Sequence, residues 1–252
     1  MQNLNKKNFI LIALLIFNAF LFSEEKFNID KYKNVLSEVE SILEENHFKK
    51  NVNIDTKAIK EKYLNSIDSQ KMVFDAEDFD NFSKIEDLNK FSQIKFAFEV
   101  FEVFKEKSIK FLDLQRQSIT EINLESQLDT NDFIFKDRED EKRFKNLEEL
   151  SEYHLKEAKS ELISIYLKEK DLKKSKEKLL KRFVNREKSL NRISEDDIFS
   201  MYVNSFTSFY DPHTNYMTPK NQEDFEINMY LSLEGIGAIL TIKDGITEIV
   251  RL

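Results

Sequence analysis

The chain has 252 residues, 39 of them basic and 47 acidic, for a net charge of −8, and it has no cysteine. Disulfides and thiolate metal sites are therefore excluded. The acidic balance argues against a nucleic-acid partner, which needs a basic face to neutralise phosphates. Basic residues read as spread singly among acids, with no long polybasic run for an anionic lipid surface. Phenylalanine occurs 23 times and tryptophan not at all. In a chain of helical character that points to core packing rather than a cofactor box.

At the N-terminus, Lys6 and Lys7 precede an apolar run from Phe9 to Phe22, followed by Ser23 and two glutamates. A bilayer-spanning helix needs ~20 residues, and this run is shorter. The pattern predicts a signal peptide over residues 1–23 and export. The alternative is an uncleaved inner-membrane anchor formed by residues 9–22.

Helical spacing begins at Asp30 and runs to Phe48, with Tyr32, Val35, Leu36, Val39, Ile42 and Leu43 on one face. Asp55 or Thr56 can cap a second helix carrying Ile59, Tyr63, Leu64 and Ile67. Residues Asp68–Met72 read as a polar break, after which Asp75 can cap a helix bearing Phe79, Phe82 and Ile85. A long amphipathic run spans Leu88 to Ile122, with Phe91, Ile94, Phe98, Phe101 and Phe104 along it. The polar stretch at residues 123–132 reads as a loop. From Asp140 to Arg192 the pattern predicts one or two amphipathic helices with solvated, ion-paired outer faces. Ser194 and Asp197 form a capping box for a helix whose buried face is Ile198, Met201, Tyr202, Ser205, Phe206 and Phe209. That helix must stop before Asp211-Pro212.

The composition then changes. All three glycines and both prolines lie at or after Pro212. After Pro219 one helical turn is expected, and beyond it the period becomes two, with Met229, Leu231 and Leu233 on one side. A strand over Ala238–Ile242, a turn at Lys243-Asp244-Gly245 and a returning strand at Ile246–Val250 predict a hairpin. The chain is thus expected to be mainly α and to end in a β-hairpin.

Catalytic and metal signals are weak. His47, His154 and His213 are far apart and sit in no metal-ligand spacing. Asp211 beside His213 reads as turn chemistry rather than a catalytic pair. Gly235-Ile236-Gly237 lacks the third glycine and following helix of a dinucleotide site. It can form a β-bulge, or a nest of backbone N–H groups that binds an anion such as a peptide carboxylate.

The segment from Ser208 to Leu240 closely resembles the tail-specific, or C-terminal processing, serine peptidases of bacterial periplasms. The resemblance rests on Asp211, Pro212, His213, Thr214, Tyr216, Thr218, Pro219, Asn221 and Phe225, then on Ser232, Leu233, Gly235, Ile236, Gly237 and Ala238. Residues 47–82 look like the N-terminal helical segment of that family. Between residues 90 and 190 only helical character and segment order agree, and Ser151 stands where the family often has tryptophan. The resemblance implies a helical N-terminal domain over residues 24–225 and the beginning of a PDZ domain over 226–252. Asp211, Pro212, His213, Thr214, Tyr216 and Pro219 would form the structural hinge between them. Gly235, Ile236, Gly237 and Ala238 would belong to the loop that takes a substrate's C-terminal carboxylate. The family cleaves with a Ser/Lys dyad downstream of the PDZ domain. No residue of this chain matches the dyad motifs, so the chain is expected to be truncated before its catalytic domain and inactive alone. No metal or cofactor is implied. The implied partners are proteins with exposed C-termini and a possible adaptor protein, with no nucleic acid, and a membrane only if residues 9–22 are retained. The alternative is an exported, non-catalytic helical module that binds an adaptor or envelope protein.

Overall fold

The computed structural model describes residues 27–50, 52–85, 89–122, 133–230, 239–243 and 246–251. The chain divides into two compact units, Met1–Tyr216 and Met217–Leu252. The first unit is helical: α1 (Ile29–Asn46), α2 (Thr56–Ile67), α3 (Ala76–Ser83), α4 (Lys90–Glu121), α5 (Leu147–Glu169), α6 (Leu172–Arg192) and α7 (Glu195–Thr207). The second unit holds α8 (Pro219–Tyr230) and strands β1 (Ile239–Lys243) and β2 (Ile246–Arg251). The fold is mainly α, as the periodicity predicts.

Most helices of the first unit start on a short polar side chain that accepts a hydrogen bond from an otherwise unpaired N–H. Asp55 accepts from Lys57 N, Asn89 from Ser92 N, Asn146 from Glu149 N and Asp171 from Lys174 N. Asp75/Asp78 and Ser194/Asp197 are reciprocal capping boxes. Helix α5 ends on Lys170 with a positive φ of 57°, the left-handed conformation that turns the chain sharply into α6.

Two apolar cores share one helix. The first gathers Tyr32 and Leu36 of α1, Tyr63 and Leu64 of α2, Phe74, the Ile94–Phe101 part of α4, and Phe199, Tyr202 and Val203 of α7. Its aromatic rings meet at offset and edge-on angles. Tyr32 lies 5.2 Å from Phe98 and 4.9 Å from Phe199, and Tyr63 meets Tyr202 edge-on at 5.4 Å. Tyr63 is fully buried, and its hydroxyl donates to Ala97 O at 2.8 Å. The second core joins Leu112, Ile119 and Ile122 to Ala158, Leu162 and Ile165 of α5 and to Leu179 and Phe183 of α6.

The polar break at Asp68–Met72 is an organised turn. Asp68 is buried. Its carboxylate accepts from Met72 N (2.8 Å), Val73 N (3.1 Å) and Phe74 N (3.0 Å). Arg143 Nη1 reaches the same carboxylate at 2.5 Å, and its other donors go to Phe74 O and Asn65 Oδ1. Both side chains are almost wholly buried, so the pair is hydrogen-bonded on every side that water has left. Gln70 and Lys71, the latter at a positive φ of 55°, bond to residues 137–141. Phe144 O accepts from Ala76 N at 2.8 Å. Residues 140–146 are therefore not the start of a helix, as their Lys/Glu content suggested. They form part of a strap laid over the α2–α3 turn.

His154 of α5 tightens the same corner. It stacks on Phe111 with ring centres 4.1 Å apart, and its Nε2 lies 2.7 Å from Met72 O. Gln115 donates to His154 O and to Glu157 Oε2.

Other expectations need correction. Ile42 is half-exposed, because it falls at the margin of the apolar stripe centred on Tyr32, Leu36 and Leu43. On α7, Phe199 and Val203 are buried, whereas Met201 and Phe206 are only partly covered. Basic residues are massed in one place: α6 carries nine Lys or Arg and two Glu. In the second unit, α8 runs to Tyr230, so Met229 is helical rather than part of a strand. Leu231, Leu233 and the Asp244-Gly245 turn lie outside the described residues. The hairpin itself is present, antiparallel, with Lys243 opposite Ile246 and a register shift between Ile239 and Leu240.

Asp68→Ala would strand a buried Arg143 and three buried N–H groups. We expect it to lower unfolding free energy by about 3–5 kcal/mol, read as a lower urea midpoint. Arg143→Met in the same background should recover part of that loss. An unchanged midpoint in the single variant would show that the pair does not hold the strap.

Candidate functional site

The residues expected to form the hinge are built onto α7 and its end. The helix stops at Thr207, and a tight turn carries the chain through Tyr210 into Asp211-Pro212. Asp211 Oδ1 accepts from His213 N at 2.8 Å, and Asp211 O accepts from Thr214 N at 3.1 Å. This is a β-turn with Asp at its first position and Pro at its second, where the fixed φ of proline fits.

The chain is then clamped against α7. Asn204 Oδ1 accepts from Tyr216 N at 2.6 Å, and Asn204 Nδ2 donates to Tyr216 O at 3.1 Å. One side-chain amide thus satisfies both backbone groups of Tyr216, as a neighbouring strand would. Ser200 Oγ also donates to Tyr216 O, at 3.3 Å, and Thr207 Oγ1 donates to Thr214 O at 2.8 Å. The Tyr216 ring meets Phe199 edge-on at 5.4 Å. From the far end of α1, His47 Nε2 lies 3.1 Å from Thr214 Oγ1, and the His47 ring meets Tyr210 edge-on at 5.3 Å. Helices α1 and α7 therefore grip the hinge from both sides.

A second tie joins the same two helices. Asp196, in the first turn of α7, accepts from Lys31 Nζ and from the Tyr32 hydroxyl, each at 2.7 Å. These bonds hold its carboxyl below the usual carboxylate range. Burial first, and Asp196 second, push the Tyr32 phenol far above its ordinary value. Burial does the same, more weakly, for Tyr216 and Tyr210.

The structure thus brings Asp211, Pro212, His213, Thr214 and Tyr216 together in one clamped segment. His213 is exposed, and its role is its backbone N–H. Pro219 is the first residue of α8, the helical position that needs no N–H, and Thr218 Oγ1 accepts from Asn221 N as a cap. Gly235, Ile236, Gly237 and Ala238 lie outside the described residues. Sequence reading missed Asn204, Ser200, Thr207 and His47. Asn204 lies one helical turn after Ser200 on the polar edge of α7, which was the available signal.

The arrangement is suited to fixing where the chain leaves the bundle, not to bond cleavage. Lys90 Nζ lies 3.2 Å from Ser37 Oγ, a serine–lysine contact. Lys90 is ion-paired with Glu40, and the Ser37 hydroxyl donates to Lys33 O. Neither is arranged as base or nucleophile. Among the described residues no group of three or more His, Asp or Glu could hold a metal ion.

A family model described as the tail-specific protease N-terminal domain matches residues 39–220, a span that ends just past this hinge. The chain belongs to that family. It is also 26% identical over 210 residues to the tail-specific protease of Haemophilus influenzae. That alignment covers 80% of this chain and 30% of the relative, so the chain spans about a third of the relative's length. In this tail-specific protease N-terminal domain the matched region includes the second core, the first core apart from its α1 residues Tyr32 and Leu36, the Asp68–Arg143 corner and the Asn204 clamp.

Two outcomes are expected of the clamp. Asn204→Ala should cost about 1–3 kcal/mol, because it leaves the Tyr216 N–H without its partner and Tyr216 O with the Ser200 hydroxyl alone. Hydrogen exchange should show the Tyr216 amide deprotected while the amides of α4 keep their protection; equal loss in both would mean global rather than local loosening. For Asp196→Asn the sign is set by the lowered carboxyl. Its stabilisation is complete above the ordinary value of 3.8 and is lost as pH falls through the lower folded value. The side chains are half-exposed, so the difference at pH 7 should be under about 1 kcal/mol, and it should vanish in acid. A pH-independent difference would count against the ionic link.

Proposed function

We propose that this chain forms the N-terminal part of a periplasmic serine endopeptidase that degrades or trims proteins from their C-termini. The observation that carries the reading is the clamped Asp211–Tyr216 hinge at the end of a bundle that matches the tail-specific protease N-terminal domain over residues 39–220. The similarity to the tail-specific protease of Haemophilus influenzae supports the same reading. On it, the helical unit is a rigid base. Asn204, Ser200, Thr207 and His47 fix the departure point of the chain, and the residues after the hinge begin a PDZ-type peptide-capture domain. Gly235, Ile236, Gly237 and Ala238 would present backbone N–H groups to the terminal carboxylate of a bound protein. Cleavage would come from a Ser/Lys dyad downstream of that PDZ-type domain. The apolar run at residues 9–22, preceded by two lysines, supports export with removal of residues 1–23. Among the described residues no helix is long and apolar enough to cross a membrane.

The test uses antibody raised against this chain to deplete an envelope extract of the source cells. Depletion should remove cleavage of a reporter with a free apolar C-terminus, and the same reporter amidated at its C-terminus should stay uncut throughout. The captured chain should come from the osmotic-shock fraction and begin at Glu24. Undiminished cleavage after complete depletion would overturn the protease reading. If the captured material lacked activity but held an envelope protein in stoichiometric amount, the non-catalytic binding module would replace it.

A further inference from the structure

The basic residues of α6 are interrupted in sequence by Leu, Ser, Glu and Asn, so no linear run appears. Helical geometry changes this. Ser175, Leu179 and Phe183 are the buried face, held against α4 and α5. Lys174, Lys178, Lys181, Lys188 and Arg192 recur at steps of three, four or seven residues and are all exposed. Steps of that size return to the same side of a helix. They form one row about 27 Å long at 1.5 Å per residue. Lys173 and Arg182 are exposed beside it. Lys174 and Lys178 share Glu169, and Arg186 is turned aside to Glu161. Of the two acids on α6, Glu187 faces Arg116 of α4, and Glu177 is exposed near the row.

We infer that this face of α6 docks on the surface of a bilayer containing anionic phospholipid. Charge complementarity carries the choice of partner. The row sits on a chain of net charge −8. A polyanion that wraps would meet the acidic faces, whereas a plane meets one edge, and charges on the other faces are screened beyond about 8 Å at physiological salt. Lysine predominates over arginine, which favours diffuse point-charge attraction over bidentate recognition of a particular phosphate. The one aromatic residue of α6, Phe183, is fully buried, so the helix offers neither a stacking platform for nucleic-acid bases nor a ring to insert among acyl chains. Adsorption by headgroup charge alone remains. It needs no contribution from residues 9–22, and it does not depend on the protease reading.

The test is co-sedimentation of the chain, as purified from the envelope, with vesicles of phosphatidylcholine alone or with one-third phosphatidylglycerol. At 50 mM salt we expect binding to the charged vesicles at least tenfold tighter than to neutral ones, abolished at 500 mM salt. The triple variant K181Q/K188Q/R192Q should weaken that binding on the order of a hundredfold, since each basic residue near an anionic surface is worth about fivefold. The charge-matched control K57Q/K84Q/K145Q should bind as the parent does. Binding by an apolar N-terminal segment would be indifferent to headgroup charge and salt, so the comparison isolates the row. Three results would overturn the proposal: no preference for charged vesicles, equal weakening by both triple variants, or capture of a duplex or single-stranded oligonucleotide in place of the vesicles at the same salt.

Discussion

Helix α4 must serve two cores at once, and the rest of the first unit is arranged around that demand. At 32 residues it is about 48 Å long, far more than one small core can cover. Its first half is loaded with phenylalanine and packs on α1, α2 and α7. Its second half carries Leu112, Ile119 and the neighbouring Ile122 against the α5–α6 hairpin. Between the halves the apolar stripe is interrupted by polar residues such as Lys105, Glu106 and Lys107, and Lys107 is spent on an ion pair with Asp78 of α3. A single helix running through both cores couples them mechanically.

The corner at Asp68, Arg143 and His154 adds a polar tie to that coupling. The α2–α3 turn has no strand or helix partner for its N–H groups, so the Asp68 carboxylate supplies one. An anion buried there would be costly alone, and Arg143 from the distant strap neutralises it. His154 then fixes the Met72 carbonyl from the second core. Turn, strap and α5 are thereby held to one another by polar groups, where the two apolar cores do not reach.

These dependencies explain what could be read from the sequence. Helices α1, α2, α4 and α7 were legible because their apolar residues recur at helical spacing and their starts carry Asp, Asn or Ser caps. The hairpin was legible from two short apolar runs on either side of Lys243-Asp244-Gly245. The strap was not, because its stabilising partner lies 75 residues away from Asp68 and a Lys/Glu-rich stretch looks the same in a solvated helix and in a docked loop. The basic row of α6 was missed for a related reason. Scanning along the chain counts neighbours in sequence, whereas electrostatics acts between neighbours in space. Past α7, Asp211 and Pro212 were visible as turn residues and Tyr216 through the family resemblance, but the amide of Asn204 that pins Tyr216 looks like any polar residue on an exposed helix edge.

The clamp also accounts for why the hinge segment needs such particular chemistry. A chain leaving a helix through Asp-Pro has already lost the α conformation, and an irregular segment beside a helix has no ladder to satisfy its backbone. Asn204 gives Tyr216 both hydrogen bonds that a strand would, while Thr207 and His47 fix Thr214. Burial of the Tyr216 ring against Phe199 ties those bonds to the first core. Any displacement of α7 relative to α1 would therefore be felt at Tyr216 before anywhere else along the exit. Asp196, bonded to Lys31 and Tyr32, opposes that displacement at the other end of α7. The two ties, one at each end of the helix, make the departure point a property of the whole bundle rather than of the six residues that form the turn.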